Sequence, residues 1–379
     1  MKSSSVPFVL AIAAVGAALA LTASCGSSRG DCSPQNCSGC CDEDGTCQPG
    51  FLADACGLNG AACAVCTSPQ FCGNGVCMLP GTGGGADGGG NDGGTPDGGG
   101  STCEGMGGDR VAQVCARWKC ERADLSEGTW NGNVAACNAG DNPDNRTRAV
   151  KLVNLYRFLA QLPEVTHEAT RDQQAQQCAL MMDANDALSH MPPVDWECHT
   201  AEGALAASKS NIASAPGVQA IDLYMVDFGN PDTLGHRRWI LSPKLGPVGS
   251  GTTSSYSCLY VIGGTGTATR EYVAWPPPGP FPLAAFAPSG AFGESVNSTG
   301  WSIQSETIDL GPALVSVSDV TGGETLPVTV TPLLSGYGSK YALRFNPDGW
   351  TPQAGHSYRV LVTGVSTPIS YQVDVIDCP

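Results

Sequence analysis

Histidine, basic residues and long apolar runs are all scarce in this 379-residue chain, and each shortage closes off a class of function. There are five histidines, and 19 Lys and Arg face 35 Asp and Glu, for a formal charge of −16. Lys and Arg form no run. Neutralising a phosphate backbone needs clustered basic residues, so nucleic acid is excluded as a partner. The acidic excess bears on solubility instead. No apolar stretch reaches the roughly 20 residues that cross a bilayer as a helix. The sequence contains no His-Glu-x-x-His, so the helical zinc-protease motif is absent, and its Gly-x-Ser-x-Gly, Gly26 to Gly30, directly follows the N-terminal apolar run and Cys25 rather than sitting between a strand and a helix as a nucleophile elbow does.

What the chain has in quantity is cysteine and glycine, 19 and 50 residues. Lys2 precedes an apolar run from Val6 to Leu21, and Leu21-Thr22-Ala23-Ser24-Cys25 follows. A short apolar segment behind a positive start is the pattern of a signal peptide, residues 1–24. The small residues before Cys25 resemble a bacterial lipobox, with Thr22 where Leu is usual. That resemblance implies a lipid-modified Cys25 heading an anchor region, residues 25–31. The bilayer would then be a partner, and the protein would sit at the bacterial cell surface or outer membrane. Acyl chains on one cysteine carry enough methylene groups for stable anchoring. Without lipidation the same segment gives plain secretion to an extracellular location, and Cys25 joins the disulfide set.

Setting Cys25 aside leaves 18 cysteines, an even number, and ten of them lie between Cys32 and Cys77. So short a stretch buries little apolar surface and needs covalent staples, so residues 32–80 read as a small knottin-like disulfide module. Cys37-x-x-Cys40 and Cys63-x-x-Cys66 also have zinc-site spacing, although an oxidising compartment favours disulfides. Residues 81–102, GTGGGADGGGNDGGTPDGGGST, offer no apolar side chain to offset the entropy of ordering. They read as a linker spanning about 25 Å on average.

Beyond the linker the pattern becomes globular. Residues 103–145 form a lead-in in which Cys103, Cys115, Cys120 and Cys137 are expected to staple the surroundings of Trp118 and Trp130. Residues 146–161 carry an apolar stripe at helical spacing: Ala149, Leu152, Val153, Tyr156, Leu159 and Ala160. Thr170-x-x-Gln173 is a capping-box pattern for a second helix, and Ala-rich Glu202 to Ser208 is expected to form a short one. Pro216 opens a helix over 216–228, with Val218, Ile221, Met225 and Phe228 inward. Gly249-Ser250-Gly251 reads as a glycine turn, and Cys258 to Ile262 as a core strand. Trp275-Pro276-Pro277-Pro278-Gly279-Pro280 reads as a stiff connector. From Val315 onward apolar residues alternate with a period of two between turns, the signal of an all-β sandwich over residues 271–379. Gly355-His356-Ser357-Tyr358 resembles the tyrosine corner of immunoglobulin-like domains.

The most patterned segments are Leu188-Ser189-His190 and Gly235-His236-Arg237-Arg238-Trp239-Ile240-Leu241. With Asn154-Leu155-Tyr156-Arg157, Ser210-Asn211-Ile212-Ala213 and Tyr224-Met225-Val226-Asp227, in this order and spacing, they resemble the CAP superfamily: cysteine-rich secretory proteins, antigen 5 and plant pathogenesis-related proteins. The resemblance covers roughly residues 146–262 of a domain placed at 146–270. It implies an α+β fold: a CAP-like α-β-α sandwich, here followed by a C-terminal immunoglobulin-like all-β sandwich and preceded by the small disulfide-rich module. It also implies that His190, Asp227 and His236 line a central cleft. The family's Gly-Glu-Asn-Ile has Ser210 in place of its Glu, which removes one of four polar cleft residues.

Two imidazoles and a carboxylate can hold a divalent metal such as zinc, run acid–base chemistry, or form a buried hydrogen-bonded network that ties sheet to helices. No cofactor is required by the sequence. Arg237 and Arg238 are expected to pair with Asp227 or Asp232, and Trp239 to lie in the core. His167, His199 and His356 stand alone, as surface or loop residues. The favoured reading is a non-enzymatic binding or structural protein, taking a hydrophobic ligand, as CAP relatives that bind sterols or other lipids do, or a surface partner. The alternative is a hydrolase of peptide or cell-wall material working through His190, Asp227 and His236, which the missing carboxylate at Ser210 disfavours.

Overall fold

The computed structural model describes residues 32–33, 37, 40–48, 51–52, 55–57, 60–67, 71–73 and 76–78, then 108–288 and 293–378. The signal segment, Cys25 and the linker 81–102 lie outside the described residues. In the N-terminal module, Cys40–Cys41 pairs antiparallel with Cys47–Gln48 and parallel with Ala61–Ala62. Disulfides Cys32–Cys41, Cys37–Cys47, Cys40–Cys63 and Cys66–Cys77 hold these short ladders together. All four cysteines of the two Cys-x-x-Cys motifs are therefore oxidised, which rules out a zinc site built from them.

The lead-in contributes helix α1, Arg110–Glu121, whose Val114 and Trp118 enter the core. Two of its cysteines are not local staples: Cys115 bonds Cys378 and Cys137 bonds Cys198. The lead-in is thus tied to distant parts of the chain. Helix α2, Pro143–Leu159, is capped by Asn142. Its Asn154 and Arg157 fasten the loop that follows. Asn154 exchanges two 2.9 Å bonds with the backbone of Val165. Arg157 donates to the carbonyls of Pro163, Ile240 and Ser242.

Helix α3, Ala169–Ala184, is capped by Glu168 rather than by Thr170. The chain enters extended, with Thr166 and Glu168 paired to Val248, so Glu168 is the last extended residue with a free acceptor. Next come α4, Ala201–Ala207, strand β1, Ser210–Ala213, and α5, Gly217–Val226. Val218, Ile221 and Met225 are buried as the spacing predicts, but Phe228 is exposed. The helix stops at Asp227, whose φ of 59° turns the chain outward before Phe228 is reached.

Strands β2, Gly249–Thr252, and β3, Ser257–Tyr260, complete a three-stranded antiparallel sheet in the order β1-β3-β2. The glycines at 249 and 251 form strand, not turn. Helix α3 lies directly on them, and a Cβ at Gly251 would overlap the backbone of Ala175 and Gln176. The buried disulfide Cys178–Cys258 fixes the same contact. Helices α3 and α4 cover one face of this sheet and α2 and α5 the other, giving the expected α-β-α layers.

Residues beyond 270 form two further sheets. One has strands β4, Val273–Trp275, and β6, Trp301–Ser305; the other begins with β5, Gly279–Pro282. They are completed by β7 Leu314–Asp319, β8 Glu324–Leu326, β9 Val328–Pro332, β10 Tyr341–Pro347, β11 Ser357–Thr363 and β12 Ile369–Ile376. The sheet orders are β4-β6-β10-β9 and β5-β12-β11-β7-β8, with β5 and β12 parallel. Tyr358 accepts a hydrogen bond from the backbone N–H of Gln353. The proline-rich segment is not an exposed connector. Trp275 and Phe281 at its flanks are fully buried, their rings 5.0 Å apart edge to face, and Trp275 also packs on Tyr156 of α2. One continuous apolar core runs from the helical layers into both β-sheets.

Candidate functional site

The expected cleft residues sit at the end of α5 and in a short helix, α6, Gly235–Ile240. Tyr224 lies in the last turn of α5 and Asp227 is its C-cap. Asp227 adopts the left-handed conformation that Asp tolerates better than most residues. The chain then loops back through Asn230 to His236. Asp227 Oδ1 accepts from Asn230 Nδ2 at 2.7 Å and lies 3.0 Å from His236 Nδ1. Asn230 Nδ2 is also 3.1 Å from that imidazole nitrogen. Asp227 Oδ2 accepts from the backbone N–H of Arg237 at 3.2 Å.

Around this network, the Tyr224 ring lies 4.8 Å from the imidazole, centre to centre. Asn211 donates to the His236 carbonyl at 3.1 Å. Burial holds the Tyr224 hydroxyl above its ordinary pKa, so it remains a phenol at neutral pH. Ser210, where a carboxylate was expected, is buried and its hydroxyl has no hydrogen-bond partner among the described residues.

His190 is exposed on the loop after α3, and its Nδ1 contacts the carbonyl of Ala207 at 2.9 Å. Among the described residues, the groups of three side chains with ligand atoms within 4.8 Å of one another are all cysteines. These are disulfide-bonded and offer no thiolate. The structure thus brings Asp227 and His236 together and leaves His190 outside a three-ligand cluster. With Ser210 in place of a carboxylate, the residues present do not fit a tetrahedral zinc site.

The two arginines behave differently from expectation. Among the described residues Arg237 makes no side-chain ion pair. Its guanidinium donates to the carbonyls of Met225, Val226 and Gly300 and to the hydroxyls of Thr299 and Ser302. Burial lowers its pKa to about 10, which still leaves it charged at neutral pH. Arg238 donates to the carbonyls of Thr233, Leu334 and Ser339. Trp239 is half-buried rather than core. Two of the remaining histidines are paired: His167 with Asp172 and His356 with Asp319, each at 2.7 Å.

Residues 150–264 match the family model of the cysteine-rich secretory protein family, CAP. The chain carries a CAP domain. No curated protein and no solved structure matches the chain. The CAP match ends short of the elements that complete the structure around it. Glu127, in the lead-in, caps α5 of the CAP domain: its carboxylate accepts from the backbone N–H groups of Val218 and Gln219 and from Asn145. Arg122 donates to both oxygens of Asp222 at 2.8 and 2.7 Å, and Tyr156 shares the same carboxylate. Neither Glu127 nor Asn230 was legible from sequence, since both act through contacts set only by the folded chain.

Proposed function

We propose that this is an exported, lipid-anchored bacterial surface protein whose CAP domain is a non-enzymatic binding module. The observation that carries this reading is the closure of the Asp227 network. Both carboxylate oxygens are occupied, by Asn230 and His236 on one side and by the Arg237 N–H on the other. A carboxylate so engaged is a poor general base, and among the described residues the side-chain polar contacts of His236 are Asp227 and Asn230, neither a hydroxyl nor a thiol. The disulfides support an oxidising compartment, and Cys25 supplies the anchor in this reading. The C-terminal immunoglobulin-like sandwich then serves as a structural partner of the CAP domain.

An open depression of about 590 Å³ beside α3 and α4, lined by Leu180, Val194, Trp196 and the Cys137–Cys198 disulfide together with polar Gln177, His199 and Thr200, is a candidate berth for a hydrophobic ligand. That volume lies within the range of small-molecule sites. Mass spectrometry of organic extracts from protein purified out of its own membranes tests the reading. A co-purifying apolar compound, lost in a Trp196→Ala variant that stays folded, supports it. Cleavage of peptide or peptidoglycan, lost in His236→Ala with the fold retained, overturns it in favour of the hydrolase.

A further inference from the structure

Helix α6, which carries His236, has six residues, no side-chain N-cap and a left-handed Leu234 before it. A helix this short does not hold itself together in isolation. Within the CAP domain Asp227, Asn211 and Arg157 each bond its backbone, and the β region adds a second set of contacts. The backbone N–H of Leu334 donates to the carbonyl of Asp232 at 2.9 Å. Arg238 returns two bonds to that turn, to the carbonyls of Leu334 at 2.7 Å and Ser339 at 3.1 Å. Gly338, at a φ of 67°, approaches so closely that a Cβ there would overlap the Arg238 carbonyl. A Cβ on Gly235 would come within 2.8 Å of the Tyr337 ring. From β6 of the same sheet, Gln304 donates to the carbonyls of Arg238 and Leu241. Leu234 packs with Leu333 and Ala342.

Gly235, Arg237 and Arg238 are thus bound to the β region, and His236 between them turns the other way, onto Asp227, Asn230 and Tyr224. We propose that the turn Leu334–Ser339 of the β region is a positioning element for His236. Tyr337 and Gly338, acting through the backbone of Gly235 and Arg238, hold the imidazole against Asp227 and so set what the CAP cleft accepts. This rests on the reading of the Asp227–His236 pair as part of a binding cleft. It also explains why Gly stands before His236: the side chain it lacks is replaced in space by Tyr337.

The test uses the full chain and carbethoxylation of histidines by diethyl pyrocarbonate, mapped by mass spectrometry, with His199 and His356 as internal standards. Tyr337→Ala should raise the rate at His236 at least about threefold by local opening, with the standards unchanged. Tyr337→Phe should restore the original rate. Gly338→Ala should act like Tyr337→Ala, by forcing the turn away from Arg238. An unchanged His236 rate in folded Tyr337→Ala, or an equal rise at all histidines, overturns the proposal. If Tyr337→Ala does not fold, Tyr337→Leu is read by the same criteria. Because no ligand enters the measurement, a failure to find any bound compound leaves this result standing on its own.

Discussion

Arg237 of the CAP domain donates a 2.7 Å hydrogen bond to the carbonyl of Gly300 in the β region. A fixed planar fork with five donors, buried across the boundary, binds groups from both sides at once. The CAP domain and the β region are therefore expected to unfold as one unit. Arg237→Met leaves three buried carbonyls without this donor and should cost about 3 kcal/mol at roughly 1 kcal/mol each. Arg237→Lys should recover little of it. Urea titration followed by far-UV circular dichroism and by tryptophan fluorescence should give coincident single transitions in the parent protein. Two separated transitions would contradict the weld.

Glu127→Ala removes the carboxylate that caps α5 from outside the family-matched segment. The expected loss is about 1–2 kcal/mol, from the cap bonds and the favourable charge at a helix N-terminus. Thermal unfolding measures it. A change within error of zero would mean that Pro216 and the Thr252 hydroxyl, which accepts from the Gly217 N–H at 3.0 Å, suffice at that end.

Gly251→Ala should destabilise by about 3 kcal/mol or more, because its new methyl overlaps the backbone of α3, which cannot yield as a side-chain tip would. Gly229→Ala, where a Cβ meets nothing within 4 Å, is the matched control and should stay near neutral. Chemical denaturation midpoints of the two variants compare them directly.

Sixteen of the 19 cysteines are disulfide-bonded. Thiol labelling of denatured, non-reduced protein should therefore give almost no incorporation. Cys115→Ser with Cys378→Ser opens a ring of sequence separation 263. The chain-entropy estimate for so long a loop is about 5 kcal/mol, and the double variant should lose up to that much stability.

Asp319 carries a pH dependence of known sign. Partial burial raises its pKa, but bonds from the Gly322 and Thr321 backbone and from His356 outweigh that, and the net effect is a pKa below the ordinary carboxylate value. A depressed carboxylate stabilises the fold above its unfolded pKa, and that contribution is lost as pH falls through the folded one. Stability measured from about pH 5 down to about pH 3 should fall less steeply in Asp319→Asn than in the parent. Equal slopes would show that the Asp319–His356 pair adds nothing.

Sequence periodicity located α2, α5 and the β-strands because one face of each is buried, and burial leaves a 3.6 or 2.0 repeat. It mistook the Gly249 and Gly251 strand for a turn because glycine marks close approach as well as chain reversal, and only α3 lying on top distinguishes the two. It placed Phe228 inward because the helical repeat carries no sign of Asp227 turning left-handed. Of the site, the pair Asp227 and His236 was legible through the spacing of the family motifs. Asn230, Glu127 and Tyr337 were not, since each reaches its partner through loops whose course depends on the finished core. The paired arginines were assigned to nearby carboxylates by charge alone, whereas the folded chain gives them main-chain carbonyls, which leave no trace in residue identity.

The Cys115–Cys378 bond gives the globular part a further property. Both ends of a long covalent circuit meet at one point, so a protease that nicks a surface loop anywhere between them releases no fragment. The two pieces stay joined through the disulfide and through the shared core, and a singly cut molecule would run intact on a non-reducing gel. For a protein exposed to hydrolases outside the cell, damage would then have to strike twice, or meet a reductant, before any part is lost.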